Sequence, residues 1–378
     1  LLVSKLYGQK IGLFAATFSS LAVLQIQQSH FFTADTFLLM FMMLTLWFAV
    51  AIITKKIENR EQIIESSEHK AEISYQKSEG KEQEAEGKEE NQVTKQNSFF
   101  KEYLLTLIRH PLFLLTIGFG FALGMAMSSK INAAVLCFVL PFAFFVRYLV
   151  YDRQQLSTIN NRPTTDYWSL ITVLLITGGL STIISFRIFQ PYAFDGIGLN
   201  PQWLANLKEL QAQASGTADL AWNLQWARRS NLFSFQNLTV WGLGLPLGIL
   251  AWAGFLMMGW RIFKRREYQH LLLWGWTAFY FTWQSLQFNA TMRYQLPIYP
   301  LLCMMAAWVL YESRITHYAS RKTYSVVRNV LGIVGIAVLI LTTIWAFAFQ
   351  SIYLRDETRI AASRWIFNNV PAGVNVGI

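Results

Sequence analysis

Runs of roughly 20 apolar residues recur nine times along this sequence, near residues 11–29, 36–54, 111–128, 132–150, 168–186, 238–260, 270–288, 295–311 and 329–349. Hydrocarbon offers no partners to backbone N–H and C=O groups, so a single run of this length crosses it only as a helix. The expected fold class is therefore all-α, a polytopic membrane protein with about nine transmembrane helices. Composition agrees: of 378 residues, 53% are hydrophobic and 14% charged, more apolar matter than one soluble domain requires. Cys137 and Cys303 both fall inside apolar runs, which predicts buried thiols and no disulfide framework.

Charge orients the runs. Alternate connections hold Lys5 and Lys10; Arg153 and Arg162; Arg261, Lys264, Arg265 and Arg266; and Arg314, Arg321, Lys322 and Arg328. Connections rich in Lys and Arg face the cytoplasm. Ser29–Asp35, Ser129–Asn132, Arg187–Asn237, Asn289–Gln295 and everything after Gln350 are then external, and one parity satisfies all the short loops. The expected location is the cell membrane.

Residues 55–98 are of another kind. They hold 8 Lys/Arg and 11 of the chain's 22 acidic residues, with no apolar period. Such a segment buries too little to offset its ordering entropy, so a disordered cytoplasmic insertion is expected. The remainder carries 24 Lys/Arg against 11 Asp/Glu. That excess is chiefly the orienting signal, with a part available to anionic lipid headgroups; nucleic acid is not an expected partner. The opening LLVSKLYGQK and the closing AGVNVGI suggest a piece of a longer protein. Residues 1–349 are expected to form the membrane domain, and 350–378 the start of an external soluble domain.

A few residues carry chemistry. Asp35 stands where the second run begins. There it either favours the helix start through the dipole or serves, in an outward-facing cavity, as a base or a group that positions an acceptor. His30 precedes it by five residues and is a candidate partner, or a polar anchor. Two such residues do not make a metal site, and a divalent metal is left open. Lys130, in the turn MSSKINA, either snorkels or holds a lipid phosphate. Arg293 leads into MRYQLPIYP, whose Pro297 and Pro300 open the backbone. Irregular backbone at membrane depth lines cavities, and a guanidinium there suits bidentate phosphate contact.

The connection 187–237 is not structureless. Asn200 is a cap candidate, Pro201 suits the first helical position, and Trp203, Leu204, Leu207 and Leu210 give a helical apolar face. The prediction is an amphipathic helix on the membrane surface, followed by Arg228 and Arg229 as headgroup contacts. No phosphate-binding Gly loop, dinucleotide fingerprint, nucleophile elbow or Cys/His array is present.

Together, SHFFTADTFL, GFALGMAMSSKINAAVL and TMRYQLPIYPLLCMMAAW resemble the integral-membrane glycosyltransferases of the GT-C fold. The likeness is to phospholipid carrier-dependent transferases of the protein-mannosyltransferase and aminoarabinose-transferase type. FRIFQPYAFDGIGLNPQWL and NLQWARR also look like bacterial YYY-type membrane proteins. The resemblance covers most of residues 1–311. It implies a GT-C-like helical bundle that moves a sugar from a polyprenyl phosphate or diphosphate to a glycan, lipid or protein acceptor on the outer face. It further implies that the family's main catalytic acid, in a loop after a first helix, lies upstream of this chain. Asp35 would match the acid of the second external loop, Arg293 would face the carrier phosphate, and Lys130 would be the hairpin lysine of many relatives. A lipid or headgroup transporter and a non-catalytic scaffold are the rivals. No internal repeat supports the transporter, and the unusual charges lie at the edges of the runs rather than at their middles.

Overall fold

The computed structural model describes residues 1–31, 33–55, 108, 110–152, 165–218, 220–312 and 321–374. The expected insertion 55–98 therefore falls, beyond Lys55, outside the described residues, as do Arg153, Arg162 and Arg314. The helices, in chain order, are α1 (Leu2–Tyr7), α2 (Gln9–Leu21), α3 (Val23–His30), α4 (Ala34–Thr54), α5 (Phe113–Ser129), α6 (Val139–Arg147), α7 (Thr165–Phe189), α8 (Pro201–Ser215), α9 (Phe233–Asn237), α10 (Leu245–Trp260), α11 (Leu271–Leu286), α12 (Tyr299–Glu312), α13 (Arg321–Gln350) and α14 (Thr358–Asn369). A two-stranded hairpin, Phe194–Asp195 against Gly198–Leu199, is the β-structure among the described residues. The all-α class stands.

All nine apolar runs are helical, but they are not nine equal spans. Among the described residues, six stretches are long and apolar enough to cross a membrane: Ala34–Thr54, Ile131–Tyr151, Tyr167–Phe189, Leu245–Arg265, Met292–Glu312 and Asn329–Asn369. The first run is α2 and α3, bent by 59°, which together would make a seventh. Helices α5 and α11, with 17 and 16 residues, reach only about 25 Å, short of a ~30 Å core. The bend needs no proline. Ala22 turns to extended backbone, and Ser19 and Gln25 exchange side-chain hydrogen bonds of 3.2 and 2.9 Å across the break. That is how polar side chains compensate an interrupted membrane helix.

The centre of the bundle is Met292–Glu312, 78% buried, while α7 and α13 lie in peripheral spans at 28% and 22%. The sequence of α12, LLCMMAAW, is apolar on every side, as a fully enclosed helix requires. It packs on α2 and α10, and α4 packs on α5 and α6. Cys303 is buried in α12, whereas Cys137 is exposed, contrary to the expectation of two buried thiols; both are free.

Small residues set the tightest contact, between α5 and α7. Ser181 Oγ donates to the Ile117 carbonyl at 2.8 Å, and Ser185 Oγ to that of Phe121 at 3.0 Å. A Cβ on Gly124 would lie 2.6 Å from Ser185 Cβ and 2.7 Å from the Thr182 oxygen. Membrane helices lack a hydrophobic drive toward one another and associate through such close packing. Gly124→Ala is expected to lower stability by about 1–3 kcal/mol, and Ser185→Ala by about 0.6 kcal/mol. Thermal unfolding in detergent measures both; an unchanged melting point for Gly124→Ala would show that the two helices are not so close.

At the far end of α4, buried Arg147 donates from Nη1 to the carbonyls of Ile52 (2.6 Å) and Lys55 (2.8 Å), closing the helix C-terminus. Nearby, α1 is pinned to the start of α11. Tyr7 hydroxyl lies 3.0 Å from His270 Nδ1, and His270 Nε2 lies 3.2 Å from Glu267 Oε2. Arg261 joins Glu267 at 3.2 Å and Glu312 at 2.7 Å. From sequence, Arg261 belongs among the loop cations. It is instead buried and paired, because two carboxylates offset its loss of hydration.

Burial holds the His270 pKa below its ordinary value, against the opposing pull of Glu267. A neutral ring can accept at Nδ1 and donate from Nε2. The unfolded chain takes up the proton first, so stability is full above the unfolded pKa of about 6.5 and falls as pH drops through it. The melting temperature is therefore expected to fall between about pH 7 and 5, and to fall less in His270→Gln. An identical slope in that variant would remove His270 from the account.

Candidate functional site

Four chain segments far apart in sequence meet at the other end of the bundle. The first turn of α4 brings Asp35. The turn between α5 and the 3₁₀ helix Ile131–Phe138 brings Lys130. The end of α11 brings Tyr280 and Gln284, and the 3₁₀ helix Met292–Ile298 brings Arg293 and Tyr294. They line one cleft with Asn132, Leu38, Leu296 and Pro297. The irregular backbone expected after Arg293 is present: Pro297 lies inside the 3₁₀ turn, and α12 begins only at Tyr299.

Asp35 is buried, and its side chain is 7% exposed. Lys130 Nζ sits 2.8 Å from its Oδ1. The residue at the cap position of α4, Thr33, makes no side-chain capping bond, and Asp35 lies inside the first turn. The helix dipole therefore favours its charge, while the contact that fixes its carboxylate comes from the turn after α5. Lys130 also lies over the ring of Tyr294, 4.0 Å from the centroid. The Arg293 guanidinium carbon is 5.4 Å from the same centroid. One aromatic ring thus holds two cations, which aligns them without neutralising either.

The formal charges of the cleft lining, two cations and one carboxylate, leave one positive charge. Asp35, Tyr280, Gln284 and Leu296 are buried, whereas Arg293 and Asn132 are exposed. Gln284 Nε2 approaches the Tyr280 hydroxyl at 3.5 Å. The lining thus sets an exposed guanidinium at its rim and a buried carboxylate beside two buried polar side chains.

The other candidates lie elsewhere. His30 does not join Asp35. Its ring stacks on Tyr353 at 3.9 Å, Nδ1 lies 2.8 Å from the Ile26 carbonyl, and Nε2 faces Gln350. Though five residues apart in sequence, His30 and Asp35 take different partners. Arg229 turns to the end of α11, donating to the carbonyls of Phe288 (3.0 Å), Ser285 (3.4 Å) and Gln287. Those bonds close a helix C-terminus. Arg228 beside it is exposed. Among the described residues no three of His, Cys, Asp and Glu come together as metal ligands, and in the cleft Lys130 already engages the one carboxylate. This donor set does not fit a metal.

Tyr280, Gln284 and Asn132 join the cleft in addition to the residues expected from sequence. The signal was there for the first two. Thr277, Tyr280 and Gln284 recur at three- and four-residue spacing within apolar α11, and a polar stripe in a membrane helix faces protein or a cavity.

The connection between α7 and α9 docks beside this end. Asn200 Oδ1 accepts from Gln202 N at 2.9 Å at the start of α8, and Gly216, with φ 77°, closes its end. Gly216 lies against Phe288, and Asn289 N donates to the Ala214 carbonyl at 3.2 Å. The end of α8 is thereby fastened to the segment that leads into Arg293.

No family model and no curated protein matches this chain. Among solved structures, the apo crystal structure of the Archaeoglobus fulgidus oligosaccharyltransferase is similar, with 14% sequence identity and a TM-score of 0.45. The match covers 98% of this chain and 45% of that one, so the chain spans less than half the length of that protein.

Proposed function

We propose that this chain is the membrane part of a glycosyltransferase that takes a sugar from a polyprenyl phosphate or diphosphate carrier and passes it to an acceptor at the outer face of the cell membrane. The observation that carries the reading is the cleft: a buried carboxylate, two cations on one tyrosine ring and a buried polar pair, gathered from four segments at one end of an apolar bundle. A lipid-borne phosphate lies at the depth of such an end.

In this reading Arg293 and Lys130 bind the carrier phosphate, and Tyr280 and Gln284 meet sugar hydroxyls. The acceptor oxygen attacks the anomeric carbon and loses its proton to Asp35. The bond from that carbon to the phosphate oxygen breaks, and its electron pair leaves on the phosphate, where the two cations stabilise it. His30 and Arg229 have their contacts away from the cleft and take no part; Arg228 remains available to lipid headgroups. The transporter is the second reading. A carboxylate and cations at one end of the bundle, rather than at mid-depth, speak against it.

The test uses the full-length protein in vesicles with a polyprenyl-phosphate donor carrying a labelled sugar. Release of the label from the lipid to an acceptor is the expected result. Movement of intact donor between leaflets without cleavage would establish the transporter instead.

A further inference from the structure

We propose that the Asp35–Lys130 ion pair is a latch that the carrier phosphate opens, so that donor binding itself frees the carboxylate for the acceptor. The inference rests on the phosphate reading above and adds an order of events to it.

The pair as it stands is poorly suited to catalysis. Lys130 Nζ is 2.8 Å from Asp35 Oδ1, on a carboxylate whose side chain is 7% exposed. Its charge is balanced and one of its oxygens is already engaged, which leaves less of it to accept from a hydroxyl. Lys130 is different. Its side chain is 24% exposed and its ammonium lies over the Tyr294 ring that also carries Arg293. It has a flexible stem, a partner on the buried side, and a second attraction on the side where an anion would arrive.

A phosphate at Arg293 attracts the Lys130 ammonium as strongly as a carboxylate does, and it repels Asp35. A phosphate that draws both Arg293 and Lys130 leaves no cation of the lining for Asp35. As Lys130 turns to the phosphate, Tyr294 can keep contact with it through the ring face, and the Asp35 carboxyl group is left without its ammonium beside Tyr280 and Gln284. The carboxylate is then active when the donor is bound and masked when it is not.

The latch makes an unusual prediction, that removing the carboxylate improves binding. The assay measures undecaprenyl phosphate binding to the full-length protein in lipid nanodiscs, with undecaprenol as the uncharged control. If the latch is closed in nine of ten unliganded molecules, Asp35→Asn and Asp35→Ala each bind the phosphate about tenfold tighter than the parent. Adding Lys130→Met to Asp35→Asn should abolish the gain. Two variants of different shape, each checked by thermal unfolding, separate the effect from misfolding. If the parent binds undecaprenyl phosphate no better than undecaprenol, the phosphate reading itself falls. If the parent prefers the phosphate but both Asp35 variants bind it equally or more weakly, the latch falls and the phosphate site stands.

Discussion

Asp35→Asn in the full-length protein is expected to leave it folded and to lower sugar transfer by about 10²-fold or more, the scale lost with a general base. The isosteric amide keeps the shape of the cleft, but it has no charge to hold Lys130 and cannot take a proton. Stability should fall by less than the roughly 3–5 kcal/mol of a broken buried pair, because Lys130 is a quarter exposed and can turn to water. The loss should sit in kcat, with KM for the donor unchanged or lower, since the variant frees Lys130 for the phosphate. Full turnover in a destabilised protein would instead assign Asp35 to holding Lys130 in place.

The second large effect is at Arg293. Replacing it with Ala removes charge-assisted hydrogen bonds worth about 1.5–3 kcal/mol, or roughly 10- to 150-fold in donor affinity. Arg293→Lys keeps the charge but loses the planar fork and the stacking on Tyr294. It should fall between parent and Ala. Because Arg293 is exposed and belongs to a 3₁₀ turn rather than the core, neither variant should unfold the protein. Donor binding by Arg293→Ala equal to the parent's would make this residue an interfacial anchor.

Much of this arrangement can be read from the residues alone, for a physical reason. Apolar length dictates the helices. Alternating loop charge groups Asp35, Lys130 and Arg293 on one side, and the structure gathers these three in one cleft. Local chemistry is also legible where it is local: Asn200 caps α8, and Pro297 interrupts the approach to α12. The failures are long-range. Nothing near Arg229 shows that its donors go to carbonyls at the end of α11, or near Arg261 that Glu312 completes its pairing. Sequence proximity also misleads at His30, whose ring goes to Tyr353 while Asp35 goes to Lys130. Tyr280 and Gln284 were legible in spacing but lay within a run that hydropathy alone treats as uniform.

The central claim is that Lys130 and Arg293 form the seat of a carrier phosphate. Electron cryo-microscopy of the full-length protein with undecaprenyl phosphate tests it most directly. Phosphate oxygens are expected within about 3 Å of both Lys130 Nζ and the Arg293 guanidinium, at the mouth of the cleft that contains Asp35. A carrier bound with its phosphate away from both side chains, and the cleft unchanged, would contradict it.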